Sequence, residues 1–141
     1  MTPADFPVVF RLWQITEGIG LNESDKPEAF AAFLTRNPGM SQVALAGTEI
    51  VGTLMCGHDG RRGYLHHLAV AQAHRHQGLG RTLVEKCLRV LAAQGIAKCN
   101  IYLFADNPGG RTFWAHNGWD ERAEIQVLQK RVAATRVAVN S

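Results

Sequence analysis

The sequence predicts an α/β fold, a mixed sheet with helices on both of its faces. Apolar residues recur at helical spacing in two segments near the N-terminus and again after residue 78. Between these segments lie three short apolar runs bounded by turn residues, which read as strands. A helix then joins the third run to a fourth, and that order implies a parallel crossover.

The elements follow in order. Residues 4–17 carry Phe6, Val9, Phe10 and Trp13 on one helical face, and residues 27–36 repeat the pattern with Phe30, Phe33 and Leu34. Ser24, Asp25 and Pro27 supply the start signals of the second helix. Residues 18–26 read as a loop. Residues 42–46 and 50–56 form a hairpin through Gly47, Thr48 and Glu49. Asp59-Gly60 marks a second turn, and residues 64–70 form a third strand. Residues 78–94 read as a helix, with Leu83, Val84, Cys87, Leu88 and Leu91 on one face and Gly95 as terminator. Residues 98–104 read as a strand, 108–117 as a helix stopped by Gly118, and 119–130 as mostly strand. The tail, 131–141, carries no assignment.

Composition narrows the function. A chain of 141 residues with 46% hydrophobic content fits a single domain spanning 1–141. The net charge of +3 is not gathered on one Lys/Arg face, which excludes nucleic acid as the expected partner. No apolar run reaches membrane-span length, so no membrane partner is expected. The N-terminus lacks the basic start and apolar stretch of a secretory leader, and the expected compartment is the cytoplasm. Cys56, Cys87 and Cys99 are odd in number and widely spaced, as buried reduced thiols would be. His66, His67, His74 and His76, with Cys56 and His58, match no zinc spacing, so no metal is expected.

The chemistry concentrates between Leu68 and Arg81. There an apolar strand, Leu68-Ala69-Val70, runs through a polar loop into a helix that opens Arg75-His76-Gln77-Gly78-Leu79-Gly80-Arg81. The first N–H groups of a helix have no internal partner, and its dipole adds positive charge there. Glycines let a phosphate approach the backbone, so the segment suits a pyrophosphate, with Arg75 and Arg81 adding charge at the rim. It is not a P-loop, since no Gly-Lys-Ser/Thr follows. Leu83 stands where a Rossmann pattern would need its third glycine.

Arg75-x-x-Gly78-x-Gly80, at this distance after Leu68-Ala69-Val70, resembles the acetyl-CoA motif of the GNAT acetyltransferase superfamily. Asn107, then Phe113-Trp114, then Gly118-Trp119 stand at the spacing of that family's second motif. The resemblance covers about residues 42–130. Overall length and the Gly52-Thr53 and Asp59-Gly60-Arg61 segments are similar to small bacterial RimI-like members.

The resemblance implies a GNAT (acyl-CoA N-acyltransferase) fold with acetyl-CoA, as cosubstrate, in a gap between two splayed parallel strands, those ending at Val70 and running through 98–104. It implies that Leu68, Ala69 and Val70 face the cosubstrate, with main-chain groups of Leu68 and Val70 pairing with the acetyl carbonyl and pantetheine. The amides of His76, Gln77, Gly78, Leu79, Gly80 and Arg81 would hold the pyrophosphate, and the Asn107 side chain would reach the pantetheine. Phe113 and Trp114 would line the wall near the thiol. The implied reaction is direct attack of a primary amine on the thioester, with the Val70 N–H as oxyanion donor.

His66 is the expected general base, two residues before Leu68, where related arylalkylamine N-acetyltransferases carry a histidine on their proton path; its imidazole also titrates near neutrality. Strand alternation predicts Tyr64, His66, Leu68 and Val70 on one face, with Leu65, His67 and Ala69 on the other. Tyr64 would then orient water, and His67 would be structural.

Two departures from the family stand out. Trp114 occupies a position where many relatives carry the Tyr that protonates the thiolate, and an indole cannot serve as that acid. This motivates an alternative, an acetyl-CoA-binding module with weak or lost catalysis. The chain also enters its first helix without the usual leading strand: either the strand is missing or the sequence starts late, and a missing strand would leave an open sheet edge that suggests a homodimer. The acceptor is either a small amine or a peptide N-terminus. Glu17, Glu23, Asp25 and Asp59 are available to steer a cation toward it.

Overall fold

The computed structural model describes residues 1–132. Its helices are α1 (Phe6–Gln14), α2 (Pro27–Arg36), α3 (Leu79–Ala93) and α4 (Pro108–His116). Its strands are β1 (Gln42–Ala46), β2 (Glu49–His58), β3 (Gly63–Val70) and β4 (Cys99–Ile101), with short 3-10 turns at Pro3–Asp5, Glu23–Asp25 and Gln72–His74. Sheet order is β1-β2-β3-β4. The first three strands pair antiparallel, and β4 joins β3 in parallel, as the intervening helix requires.

Helical spacing is spent on two cores, one on each sheet face. α1 buries Val9, Leu12 and Trp13, α2 buries Phe30 and Leu34, and both meet Met55 and Ala69. On the opposite face α3 buries Leu83, Val84, Cys87 and Leu91 against Leu54, Cys56 and Leu65. Each fully buried aliphatic side chain contributes roughly 1.5–3 kcal/mol from its removal from water. Cys56 and Cys87 lie in this second core as free thiols. The Cys56 thiol is pushed far up by its hydrogen bond with Cys87 and by burial. Burial, aided by Cys56, pushes Cys99 up to about 12, so these two groups stay protonated near neutral pH.

The decisive local feature is a β-bulge in β3. Thr53 pairs with Ala69 but Met55 pairs with His66, so Leu54 stands opposite both His67 and Leu68. His67 takes the left-handed conformation, with φ of 56°. The extra residue shifts the alternation and corrects the faces expected for this strand. Leu65 lies on the α3 side and His66 opposite it, beside Phe33 of α2. His67 then falls on the same side as His66, against Trp13 of α1. Leu68 packs on the α3 side, away from His66, and Ala69 returns to the α1–α2 side.

Polar groups lock the bulge. His67 Nε2 lies 2.7 Å from Oδ1 of Asp25, and Asp25 is only 6% exposed. The other carboxylate oxygen of Asp25 accepts from the Asn22 amide at 3.0 Å. Trp13 Nε1 donates to Thr53 Oγ1 at 3.1 Å, and that hydroxyl donates to the His67 carbonyl at 3.4 Å. The loop between α1 and α2 is thereby fastened to the bulge.

Two expected strands come out differently. β4 ends at Ile101 rather than 104, because the chain leaves the sheet there. Residues 119–130 form no strand. Trp119 folds its amide onto the Trp114 carbonyl at 3.0 Å, and Ile125 closes a turn onto Arg122. Ile125, Val127 and Leu128 stay exposed, so the apolar residues of this segment find no core to face. Residues 133–141, most of the unassigned tail, lie outside the described residues. Among the described residues the outer edge of β1 is unpaired, and no helix is long and apolar enough to cross a membrane.

Removing the Asp25 carboxylate leaves the mostly covered His67 imidazole without its partner. Asp25→Ala is expected to cost about 1–3 kcal/mol in chemical denaturation and to raise amide exchange across residues 18–25. An unchanged midpoint would show that the clamp does not hold the loop.

Candidate active site

β3 and β4 touch over three residue pairs only: Gly63 with Cys99, Tyr64 with Asn100 and Leu65 with Ile101. Past Leu65 the bulge bends β3, while the chain after Ile101 turns out of the sheet. A gap opens beside residues 66–70. The Ala71 amide donates to Val51 across the ladder at 2.8 Å. Antiparallel alternation therefore turns the N–H and C=O of Val70 away from β2 and toward the gap. The Val70 carbonyl accepts from Arg75 Nε at 2.9 Å. The Arg75 side chain, expected at the rim of an anion site, thus also ties the following loop to the end of β3.

That loop delivers the start of α3. Gly78 is the N-cap with φ of 80°, and His76 has φ of 63°. A Cβ on Gly78 would meet nothing within 4 Å, so the glycine is required by conformation rather than by space. The first helical amide to find a main-chain acceptor is Thr82, on the Gly78 carbonyl at 3.0 Å. The amides of Leu79, Gly80 and Arg81 have no partner among the described residues. These features fit a pyrophosphate: unpaired donors at a helix N-terminus with an approach free of side chains. Arg81 leans along the helix to Glu85 at 2.9 Å in an exposed pair. In the loop leading in, His74 Nδ1 is buried without a partner among the described residues.

α4 closes the other side. Asn107 caps it by accepting from the Gly110 amide at 2.9 Å. This engages the carboxamide oxygen, while Nδ2 faces the α1–α2 loop, where a Cβ on Gly18 would come within 2.6 Å of it. Phe113 lies against the start of α3, 3.4 Å from where a Gly80 Cβ would stand. Trp114 packs edge-on against Phe113 and Trp119 at centroid distances of 5.1 and 4.9 Å, backed by the α3-side core. Its surroundings are those of a packing residue.

His66 sits on the α1–α2 side of the gap. Burial holds its imidazole below the usual histidine range; His67 adds to that and Asp25 opposes it. Its ring is flanked by Phe33, Tyr64 and Tyr102 at 5.8, 6.3 and 6.2 Å. The His66–Tyr64 pairing follows from two-residue spacing on an unbroken stretch of strand. Tyr102 and the Asp25–His67 clamp were not legible as site features. Tyr102 reads as one more strand residue, and the clamp joins residues 42 positions apart. Among the described residues, no three His, Cys, Asp or Glu side chains converge as metal ligands.

Comparison with known proteins agrees with this geometry. The family model for GNAT acetyltransferases matches residues 6–119. An acetyltransferase of Sodalis glossinidius is 28% identical over 129 residues, covering 91% of this chain and 89% of its own length. An acetyltransferase of Photorhabdus laumondii is 34% identical over 104 residues, covering 73% of this chain and 71% of its own. The fold resembles the PaiA N-acetyltransferase of Thermoplasma acidophilum, solved with coenzyme A, at a TM-score of 0.73 and 19% identity over 85% of this chain and 86% of that one. With a splayed strand pair, an anion-ready helix start and a family match across most of its length, the chain belongs to the GNAT family and is an acetyltransferase.

Proposed function

We propose that the chain acetylates a primary amine, of a small molecule or a peptide N-terminus, using His66 as general base and the Val70 amide as oxyanion donor. The observation that carries this reading is the gap itself. It has the Val70 N–H on its wall, unpaired helix amides at one end and a half-buried imidazole on the side away from α3.

Acetyl-CoA supplies the acetyl group as an activated thioester. The amides of His76 to Arg81 hold its pyrophosphate, and Arg75 and Arg81 add positive charge nearby. Main-chain groups of Leu68, Ala69 and Val70 orient the pantetheine and carbonyl. Asn107 Nδ2 contributes a donor from the opposite side, and Phe113, backed by the packed Trp114 ring, walls off the sulfur. The amine nitrogen must be neutral to attack the carbonyl carbon. His66 accepts the proton that the nitrogen sheds as the C–N bond forms, directly or through one water, with Tyr64 orienting that water. The Val70 N–H donates to the carbonyl oxygen as it gains negative charge. The C–S bond then breaks, and the departing thiolate takes its proton from water, since the Trp114 indole N–H is not an acid at neutral pH.

His66 works as a base only when neutral. Its pKa is held below the ordinary value of about 6.5 by burial, so the neutral form persists to lower pH. After correction for the neutral fraction of the amine, the acid limb of kcat/KM should fall below pH 6.5. His66→Ala should abolish that limb and lower kcat by about 10²–10⁴-fold, with acetyl-CoA affinity retained. A limb that survives in His66→Ala would assign the base elsewhere. For the cosubstrate, acetyl-CoA at a hundredfold excess over its Kd should add about 2.7 kcal/mol of stability. Gly78→Ala should weaken that gain, because its left-handed φ costs a non-glycine residue about 1–2 kcal/mol. No stabilisation of the unsubstituted chain at saturating acetyl-CoA would refute the cradle.

A further inference from the structure

We propose that the acceptor is a primary amine carried close to an aromatic ring, because the ring cluster around His66 leaves an aromatic face open to solvent beside it. This deepens the preceding reading and rests on His66 marking the acceptor side of the gap.

The rings come from three elements. Tyr64 and His66 stand two residues apart on β3 with ring planes 5° from parallel and centroids 6.3 Å apart. Tyr102, just past β4, tilts toward both at 6.1 and 6.2 Å. Phe33 of α2 meets the His66 ring edge-on at 5.8 Å. Tyr102 is 64% exposed and Phe104 57%, although both adjoin an otherwise packed site. Phe104 rests on the α1–α2 loop at Gly20, where any Cβ would lie 2.7 Å from its ring. The absence of a side chain at Gly20 is what lets the ring settle there. Flat faces open to solvent at this spacing favour a flat partner, which stacks or meets them edge-on.

Three of the four acidic residues that could have steered a cation are engaged within the protein, which leaves Glu17 alone for a charged acceptor. Asp25 is buried on His67, Glu23 pairs with Arg131 at 2.7 Å, and Asp59 accepts from the Arg61 and Arg62 amides. Glu17 borders a depression that Arg75 also lines. A polyamine or aminoglycoside carries several charges and would need several free carboxylates. A monoamine needs none, and an apolar face disfavours its ammonium form, which promotes the neutral nucleophile.

The chemistry admits two sources, a free arylalkylamine or a peptide beginning with an aromatic residue. CoA release would be followed with 2-phenylethylamine, tryptamine, a Phe-initiated tetrapeptide, its Ala-initiated counterpart, spermidine and kanamycin. At least one aromatic arm should exceed spermidine and kanamycin in kcat/KM by about tenfold or more, and the better arm identifies the source. Tyr102→Ala should raise KM for the preferred aromatic amine by up to about tenfold, with kcat changed far less. Spermidine or kanamycin turning over as well as the aromatic amines would overturn the proposal. So would silence from every aromatic arm while acetyl-CoA still stabilises the protein. Loss of that stabilisation would instead strike the cosubstrate reading beneath it.

Discussion

One extra residue in β3 governs the site. Opposite Leu54, the strand carries both His67 and Leu68, and from that point its faces are exchanged and its direction changes. Before the bulge, β3 is an ordinary member of the sheet, with Leu65 in the α3-side core and β4 alongside. After it, Leu68 takes the core position and β4 is gone. The Val70 N–H, free of the β2 ladder, faces the space that β4 vacates. A left-handed residue that is not glycine is uncommon, and here the surrounding bonds hold it: Asp25 on the His67 ring and Thr53 on its carbonyl.

The two halves of the site are built from different materials. The proposed cosubstrate half is mostly main chain: helix amides, a left-handed glycine and one strand N–H. Such groups suit a ligand that is common to a whole family, because they are insensitive to side-chain drift. The proposed acceptor half is side chains, a ring cluster drawn from α2, β3 and the segment after β4. The same bulge that frees Val70 also brings His67 under the α1–α2 loop, on the side where the acceptor is proposed to enter.

This division explains what could be read from the chain alone. Gly78 and Gly80 after an apolar strand announce the proposed cradle, because backbone phosphate binding leaves glycines in the sequence. The helices and the hairpin follow from their apolar periods. The bulge left no such trace. A histidine pair in a strand carries no turn residue to mark a left-handed φ, so simple alternation placed Leu68 beside His66 and His67 across from it. The strand expected over 119–130 failed for a related reason. Ile125, Val127 and Leu128 are apolar, but β4 is three residues long and no core face lies beneath them. Asp25 read as a loop acid available to a substrate, whereas its carboxylate is committed to a partner that only tertiary packing supplies.

The central claim is that the cosubstrate is held by the main chain on either side of the gap, at Val70 and at the start of α3. Amide chemical shifts recorded by two-dimensional NMR during titration with coenzyme A and acetyl-CoA test it most directly. The largest changes should fall on the amides of residues 76–81 for both ligands. Val70 should differ between them, because only acetyl-CoA brings a carbonyl to its N–H. Changes centred elsewhere, with those amides and Val70 unmoved at saturation, would contradict it.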